Sequence, residues 1–208
     1  SSFGNATLLP EEATSIEAGI EQALFDGALR GGLTWFRRDA TNQIDFVSCF
    51  GVTSAICVGR PFGTYDNIQK AKAEGVEATL DWRPTDRLSL TAGYASLDAR
   101  NRTGGSANFG RLLPRRPETT LSVSAAWAFA FGLDLSATWT AVGDSFDDAA
   151  NRRLLPGYEL IALRASQKIG ARWTVFARLE NAADETYETT TGYGSPPRQA
   201  FVGLRAAL

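Results

Sequence analysis

Residues 76–94 read "VEATLDWRPTDRLSLTAGY". Val76, Ala78, Leu80 and Trp82 alternate with Glu77, Thr79 and Asp81. Beyond Arg83–Arg87, Leu88, Leu90, Ala92 and Tyr94 alternate with Ser89, Thr91 and Gly93. A period of two marks a strand with two unlike faces, because successive side chains point to opposite sides. Pro84, Thr85 and Asp86 supply turn chemistry, so the stretch predicts two antiparallel strands joined tightly.

The same grammar runs outward in both directions. Ile16, Ala18 and Ile20 alternate with polar or small residues, as do Leu29–Trp35, Leu121–Phe129, Leu133–Trp139, Ile161–Ala165 and Trp173–Leu179. With the final segment 199–208 this makes about nine strands of around ten residues, the length that crosses a bilayer as a tilted strand. Short turns fall at Asp26-Gly27, Arg83–Arg87, Phe131-Gly132 and Ile169–Arg172, and long polar loops at 40–72, 98–117, 143–157 and 185–198. In an up-and-down sheet all the short turns then lie at one end and all the long loops at the other, which is the asymmetry of outer-membrane barrels. Trp82, Trp127, Phe129 and Trp173 stand near short turns; Trp35, Tyr94 and Trp139 stand further along their strands. This placement predicts two aromatic belts separated by roughly the apolar thickness of a bilayer. The predicted fold class is all-β: an antiparallel up-and-down transmembrane β-barrel segment.

Composition narrows the function. The 208 residues hold 21 basic and 23 acidic side chains for a net charge of −2, so there is no electrostatic footprint for nucleic acid. Histidine is absent, which removes the usual general base and commonest metal ligand. No catalytic residue, cofactor or metal site is predicted, and the chain reads as a non-enzyme. No window reaches 18 apolar residues, so a transmembrane helix is excluded while a barrel is not. The chain begins "SSFGN" without Met and reads as a fragment of a longer protein. The competing architecture is a soluble β-sandwich with its tryptophans in the core. Against it, the apolar face is diluted by Ala and Gly, and the other face carries Glu17, Glu77, Asp81, Asp134, Arg164 and Arg178, as a water-filled or plugged lumen would.

The stretches "SSFGNATLLPEEATSIEAGIEQ" (1–22), "GLTWFRRDATNQIDFV" (32–47), "YDNIQKAKAEGVEATLDWRPTDRLSLTAGYASLDARN" (65–101) and "LENAADETYETTTGYGSPPRQAFVGL" (179–204) stand in one order along the chain. They resemble the C-terminal part of the barrel in TonB-dependent outer-membrane receptors, most closely the cobalamin (vitamin B12) receptor group. The most specific pieces are Asn67–Ala78 and the terminal spacing of Asn181, Asp184, Tyr187, Glu188, Gly192, Tyr193 and Arg198. The resemblance implies that residues 1–208 are the C-terminal portion of a 22-stranded barrel, with the plug domain and the TonB-contacting box outside the chain. It further implies energised uptake of a scarce, large ligand, cobalamin or a related metal chelate, across the outer membrane of a Gram-negative bacterium, with a siderophore receptor of the same superfamily as the alternative. The implied partners are outer-membrane lipid, lipopolysaccharide and TonB. A passive porin-like barrel is the competing function. The chain departs from the family in three places: Ala182-Ala183 stand where Leu-Phe is usual, Pro197 where Gly precedes Arg198, and Leu208 where the family ends in an aromatic residue.

Several residues are candidates for contact. Phe109, Tyr187 and Tyr193 on long loops are stacking surfaces for a large flat ligand. Arg152, Arg153, Arg115 and Arg116 at loop ends could meet lipopolysaccharide phosphates or an anionic ligand, or serve only loop-end solubility, and Arg198, opening the closing strand, is a further ligand-binding candidate. Cys49 and Cys57, eight residues apart, could close a loop as a disulfide in an oxidising envelope; two unpaired thiols are the other reading. Asp144, Asp147 and Asp148 could hold a hard cation or be solvated loop residues.

Overall fold

The computed structural model describes residues 3–51 and 55–207. The strands are β1 (Glu12–Leu24), β2 (Leu29–Ser48), β3 (Gly63–Thr85), β4 (Leu88–Asn101), β5 (Thr119–Ala128), β6 (Leu133–Val142), β7 (Ser145–Phe146), β8 (Leu154–Leu155), β9 (Tyr158–Ile169), β10 (Trp173–Glu180), β11 (Glu188–Thr190), β12 (Tyr193–Gly194) and β13 (Gln199–Ala206). Nine of them form one antiparallel sheet in the order β1-β2-β3-β4-β5-β6-β9-β10-β13, while β7-β8 and β11-β12 are small ladders inside two of the loops. Every connection in the large sheet joins neighbours, as an up-and-down meander requires. β1 and β13 are each paired on one side only, so the sheet is open.

The register sorts the side chains. Trp35 faces Val76 and Ala18, Leu80 faces Ala92, Tyr94 faces Leu121, Val123 faces Trp139, and Leu163 faces Leu179. Because partners on one rung share a face, these pairs form one continuous apolar surface. On the other surface Thr34 faces Glu77, Thr91 faces Ser124, Ser136 faces Arg164, and Arg164 faces Arg178. The sheet curls toward this polar face: along β6 Leu135, Ala137 and Trp139 are exposed, whereas Ser136, Thr138 and Thr140 are half-buried.

The sandwich alternative fails on burial. All five tryptophans are exposed, from 36% for Trp139 to 48% for Trp173, and among the described residues the buried apolar side chains are only Cys49, Ala71, Ala99 and Leu155. A single layer has no second sheet to cover its apolar face. Each large side chain left in water forgoes about 2–3 kcal/mol of burial, so the convex face calls for an apolar solvent, which is lipid.

Two expectations need correction. The long loop at 40–72 is mostly a hairpin: β2 runs to Ser48 and β3 begins at Gly63, leaving 49–62 as the tip. Alternation does not reveal its outer strands because the register is broken between Ala40 and Ile44, where Asn42 is left-handed, while backbone pairing still holds them together. The aromatic rows also stand closer than a full apolar thickness. Trp35 lies six residues beyond Leu29, which faces Trp82, and Trp139 lies four beyond Leu135, which faces Trp127. At ~3.3 Å per residue that is about 13–20 Å along the strands, against about 25 Å for the apolar band. Counting from the turns had included residues below the lower row. Leu208 lies outside the described residues.

Candidate functional site: the long-loop end and the lumen wall

The long loops meet at one end and are tied there by side chains from the segment "GDSFDDAAN" (143–151). Asp147 is the central tie. Its Oδ1 accepts from Arg115 Nε at 2.7 Å and its Oδ2 from the Thr191 N–H at 3.3 Å, joining the loops 102–118, 143–157 and 181–198. The Arg115 N–H donates to the Phe146 carbonyl at 2.7 Å beside it. Asn151 binds the backbone of Leu112 reciprocally, accepting from its N–H at 2.9 Å and donating to its carbonyl at 3.0 Å. Its φ of 52° is in the left-handed region that Asn tolerates.

The neighbouring carboxylates are also spent on backbone. Asp148 accepts from the N–H groups of Ala150, Arg152 and Arg153 at 2.9, 3.1 and 2.7 Å, and Asp144 from that of Gly157 at 2.7 Å. These aspartates form turns; among the described residues no group of three acidic, Cys or His side chains is placed to hold a metal. The hydrogen bond from Arg115, and then that from Thr191, hold Asp147 below the usual carboxylate range. Burial pulls Asp148 upward, but the N–H groups of Arg153, Arg152 and Ala150 outweigh it and lower its pKa.

The last long loop is tied at its neck. Asn181 donates to the carbonyls of Glu185 and Pro196 at 2.8 and 3.3 Å and accepts from the Glu185 N–H at 2.8 Å. Asp184 accepts from the Arg198 N–H at 2.8 Å, and its Oδ2 is 3.5 Å from Arg198 Nη2, which lowers the Asp184 pKa. The spacing of Asn181, Asp184 and Arg198 is thus the spacing of a loop closure.

The sequence candidates divide accordingly. Phe109 is exposed, with Arg102 Cζ 5.9 Å from its ring centre, and Tyr193 is 73% exposed on the β11-β12 hairpin. Arg152 and Arg153 are exposed, and among the described residues neither guanidinium is in an ion pair. Tyr187 is instead stacked on Tyr158 with centroids 4.1 Å apart, and Arg198 is paired with Asp184. Cys49 and Cys57 are joined by a disulfide beneath the tip of the β2-β3 hairpin. Sequence reading missed the roles of Asp147, Asn151 and Tyr158. A local signal existed only for Asp148, whose carboxylate turns back on N–H groups two to five residues on; the partners of Asp147, Asn151 and Tyr158 lie 29 to 44 residues away, beyond what local sequence reports.

Below the loops the concave wall holds a trough of ≈ 1330 Å³ toward the short-turn end, lined in part by Arg164, Phe176, Arg178, Phe201 and Arg205. Arg164 and Arg178 are partners on one rung and share Glu180, with N–O distances of 3.8 and 3.0 Å. Arg178 lies over the Phe201 ring at 4.5 Å and Arg205 over Phe176 at 6.0 Å. Phe176 in turn covers Gly203, where any Cβ would run into the ring.

An antiparallel meander with a lipid-compatible convex face, a polar concave face and long loops gathered at one end is a wall of a transmembrane β-barrel. The chain belongs to the TonB dependent receptor-like β-barrel family, whose model matches residues 1–182. This is a family of transporters and receptors of the Gram-negative outer membrane, and that membrane is where the convex face belongs. The chain is 26% identical over 210 residues to a vitamin B12 transporter of Photobacterium profundum, covering 95% of this chain and 30% of that protein. Its fold matches the siderophore receptor PiuA of Acinetobacter baumannii, with a TM-score of 0.78 at 22% identity, over 95% of this chain and 28% of the receptor. It matches the ferripyoverdine receptor of Pseudomonas aeruginosa with a TM-score of 0.76 at 22% identity, over 96% and 27%. The chain therefore spans less than a third of the length of these relatives.

Proposed function

We propose that residues 1–208 are the C-terminal part of the barrel of an outer-membrane receptor that takes up a scarce, large ligand by TonB-dependent transport, with the plug and TonB-contacting segments supplied by the rest of the protein. The ligand is a corrinoid or a metal chelate of the siderophore type, and both are supported equally. One relative is a vitamin B12 transporter; the structural neighbours include siderophore receptors. The observation that carries the reading is the tie at Asp147: three long loops held as one unit above a polar wall make a capture surface that need not order itself on binding. Phe109 and Tyr193 supply exposed aromatic faces on that surface and Arg152 and Arg153 supply cations, while Tyr187 and Arg198 act by holding the loop that presents Tyr193. Capture is binding without bond chemistry.

The test is equilibrium binding of cobalamin and of ferric siderophores to the intact receptor, with and without the loops 102–118 and 181–198. Binding of one class at micromolar concentration or tighter, lost on loop removal, supports the reading. A receptor that binds neither class, or passes small solutes without energy, behaves as a passive porin and sinks it.

A further inference from the structure

Charge on the concave wall is sorted by strand. On β1, β2 and β3 the signs mix, with Glu17, Glu21, Glu77 and Asp81 against Arg30 and Arg38, and the paired concave positions of β4 and β5 carry no charge. On β9, β10 and β13 the balance reverses: Arg164, Lys168, Arg178 and Arg205 stand against Glu180 alone, all four cations exposed. Asp134 at the foot of β6 flanks them and accepts from Ser166 Oγ at 3.5 Å.

The register sets these cations around two rings. Arg164, Arg178 and Phe201 share one rung; the next toward the short turns holds Ser166, Phe176 and Gly203, and the one after it Lys168, Thr174 and Arg205. The patch is about 10 Å wide and about 13 Å tall, from strand spacing and rise. Like charges directly opposed destabilise a sheet, and Arg164 and Arg178 have only Glu180 to share, at 3.8 and 3.0 Å. Among the described residues Lys168 and Arg205 are in no ion pair. The group is nonetheless held in shape. Arg178 lies over the Phe201 ring at 4.5 Å and Arg205 over Phe176 at 6.0 Å, and the tip of Phe176 rests on Gly203, a strand position where any side chain would displace it. Stacking fixes a guanidinium plane and leaves its N–H edge for an anion.

That chemistry recognises a planar aromatic anion: guanidinium forks meet its adjacent oxygens and the phenyl rings meet its face. An acidic side chain would use the cations and leave the rings idle, and a neutral ligand would leave the opposed charges uncompensated. We propose that Arg164, Arg178 and Arg205, with Phe176 and Phe201, bind a catecholate or aryl carboxylate group at the short-turn end of the lumen. That this group belongs to the transported ligand rests on the transport reading, and it narrows that ligand to an anionic metal chelate, since the rim of a corrinoid is mostly neutral amide. The site stands at the opposite end of the wall from the capture loops, so it serves passage and not capture.

The experiment is arginine footprinting of the intact receptor in detergent. Phenylglyoxal modifies exposed guanidinium groups, mass spectrometry reads each residue, and salicylate is the probe. Salicylate at about four times its dissociation constant is expected to slow modification of Arg164, Arg178 and Arg205 about fivefold while leaving Arg172 in the adjoining turn unchanged. Salicylamide, of the same shape without the carboxylate, is expected to protect none of them. In the double variant Arg178→Gln/Arg205→Gln, protection of Arg164 is expected to need about tenfold more salicylate. Heat-modifiable gel mobility verifies that the variant is folded, and if it is not, the footprint of the parent decides. Equal protection by salicylamide, or none by salicylate, overturns the proposal. So do arginines that stay unreactive without probe, because another part of the receptor then covers them. Capture of a ferric chelate or a corrinoid by the loops is measured separately: capture without protection sinks this site alone, and protection without capture faults the transport reading alone.

Discussion

Arg115 and Asp147 stand 32 residues apart in sequence and 2.7 Å apart in the fold, and the same carboxylate reaches Thr191 in a third loop. Replacing Asp147 by Asn keeps the shape and removes the charge that Arg115 needs. The expected outcome is faster amide exchange in 111–115 and 188–194, by about tenfold, with strand amides of β5 and β6 unchanged. Hydrogen exchange by mass spectrometry checks it. If the loops stay protected, the tie at Asp147 is not what holds them.

Acid should loosen the same loops. Asp147, Asp148 and Asp184 are all lowered from an ordinary value of 3.8 by their hydrogen bonds. A depressed folded-state pKa contributes stability that is fully present above the unfolded value and lost as pH falls through the folded one. Loop protection is therefore expected to be flat from pH 8 to about pH 5 and to decline below about pH 4. Exchange corrected for its intrinsic pH dependence, or protease sensitivity of 143–157, reads this directly. A transition near neutrality would contradict it.

Adjacent residues on β6 face opposite solvents. Ala137→Arg places a guanidinium in lipid midway between the rows of Trp127 and Trp139 and is expected to cost about 2–4 kcal/mol. Ser136→Arg faces the polar wall beside Arg164 and is expected to be far milder, limited to like-charge repulsion. Urea midpoints of the intact barrel in lipid vesicles compare the two. Equal effects would mean the faces are assigned wrongly.

Gly203 is covered by the Phe176 ring on the opposite strand. Gly203→Ala is expected to destabilise the barrel by about 1–3 kcal/mol through overpacking. Combining it with Phe176→Ala should give less than the sum of the two single effects, because the clash is with that ring. Gly75→Ala should be worse, since its Cβ meets the Ser96 backbone carbonyl as well as Phe36, and backbone yields less than a side chain.

Reduction of the Cys49–Cys57 bond opens a short loop at the tip of the β2-β3 hairpin. In the chain-entropy account such a loop contributes about 2–3 kcal/mol, felt locally because the tip projects beyond the wall. Limited proteolysis should gain a cut within 49–62 on reduction while the remaining wall stays resistant. Cleavage spreading to β5 or β6 would refute a local role.

Much of this was legible in the sequence. The alternation at Val76–Trp82 and Leu88–Tyr94 predicts two strands, their faces and the short turn, since a period of two leaves no other regular backbone in which all four apolar residues share one side. The same counting places Leu121–Trp127, Leu133–Trp139 and Trp173–Leu179 correctly. It failed at 41–48 and 63–70, where the register irregularity between Ala40 and Ile44 interrupts the alternation. The aspartates of "GDSFDDAAN" were legible as polar but not as ties, because the partners of Asp147 lie 32 and 44 residues away, and a carboxylate that turns back on its own backbone, as Asp148 does, has the same composition as one that waits for a cation.

By itself the sequence determined most of the strands, the solvent on each face and the end at which the loops gather, since each follows from local periodicity and turn chemistry. Only the tertiary structure decided which charges are spent and which are free. Arg198 and Asp147 are consumed by neighbours 14 and 32 residues away, while the charges at Arg37–Asp39, Lys72–Glu74 and Asp98–Arg100 become one array only when three strands lie in register. Strand pairing brings together residues that sequence distance separates, and electrostatics depends on spatial distance and the local dielectric, not on separation along the chain.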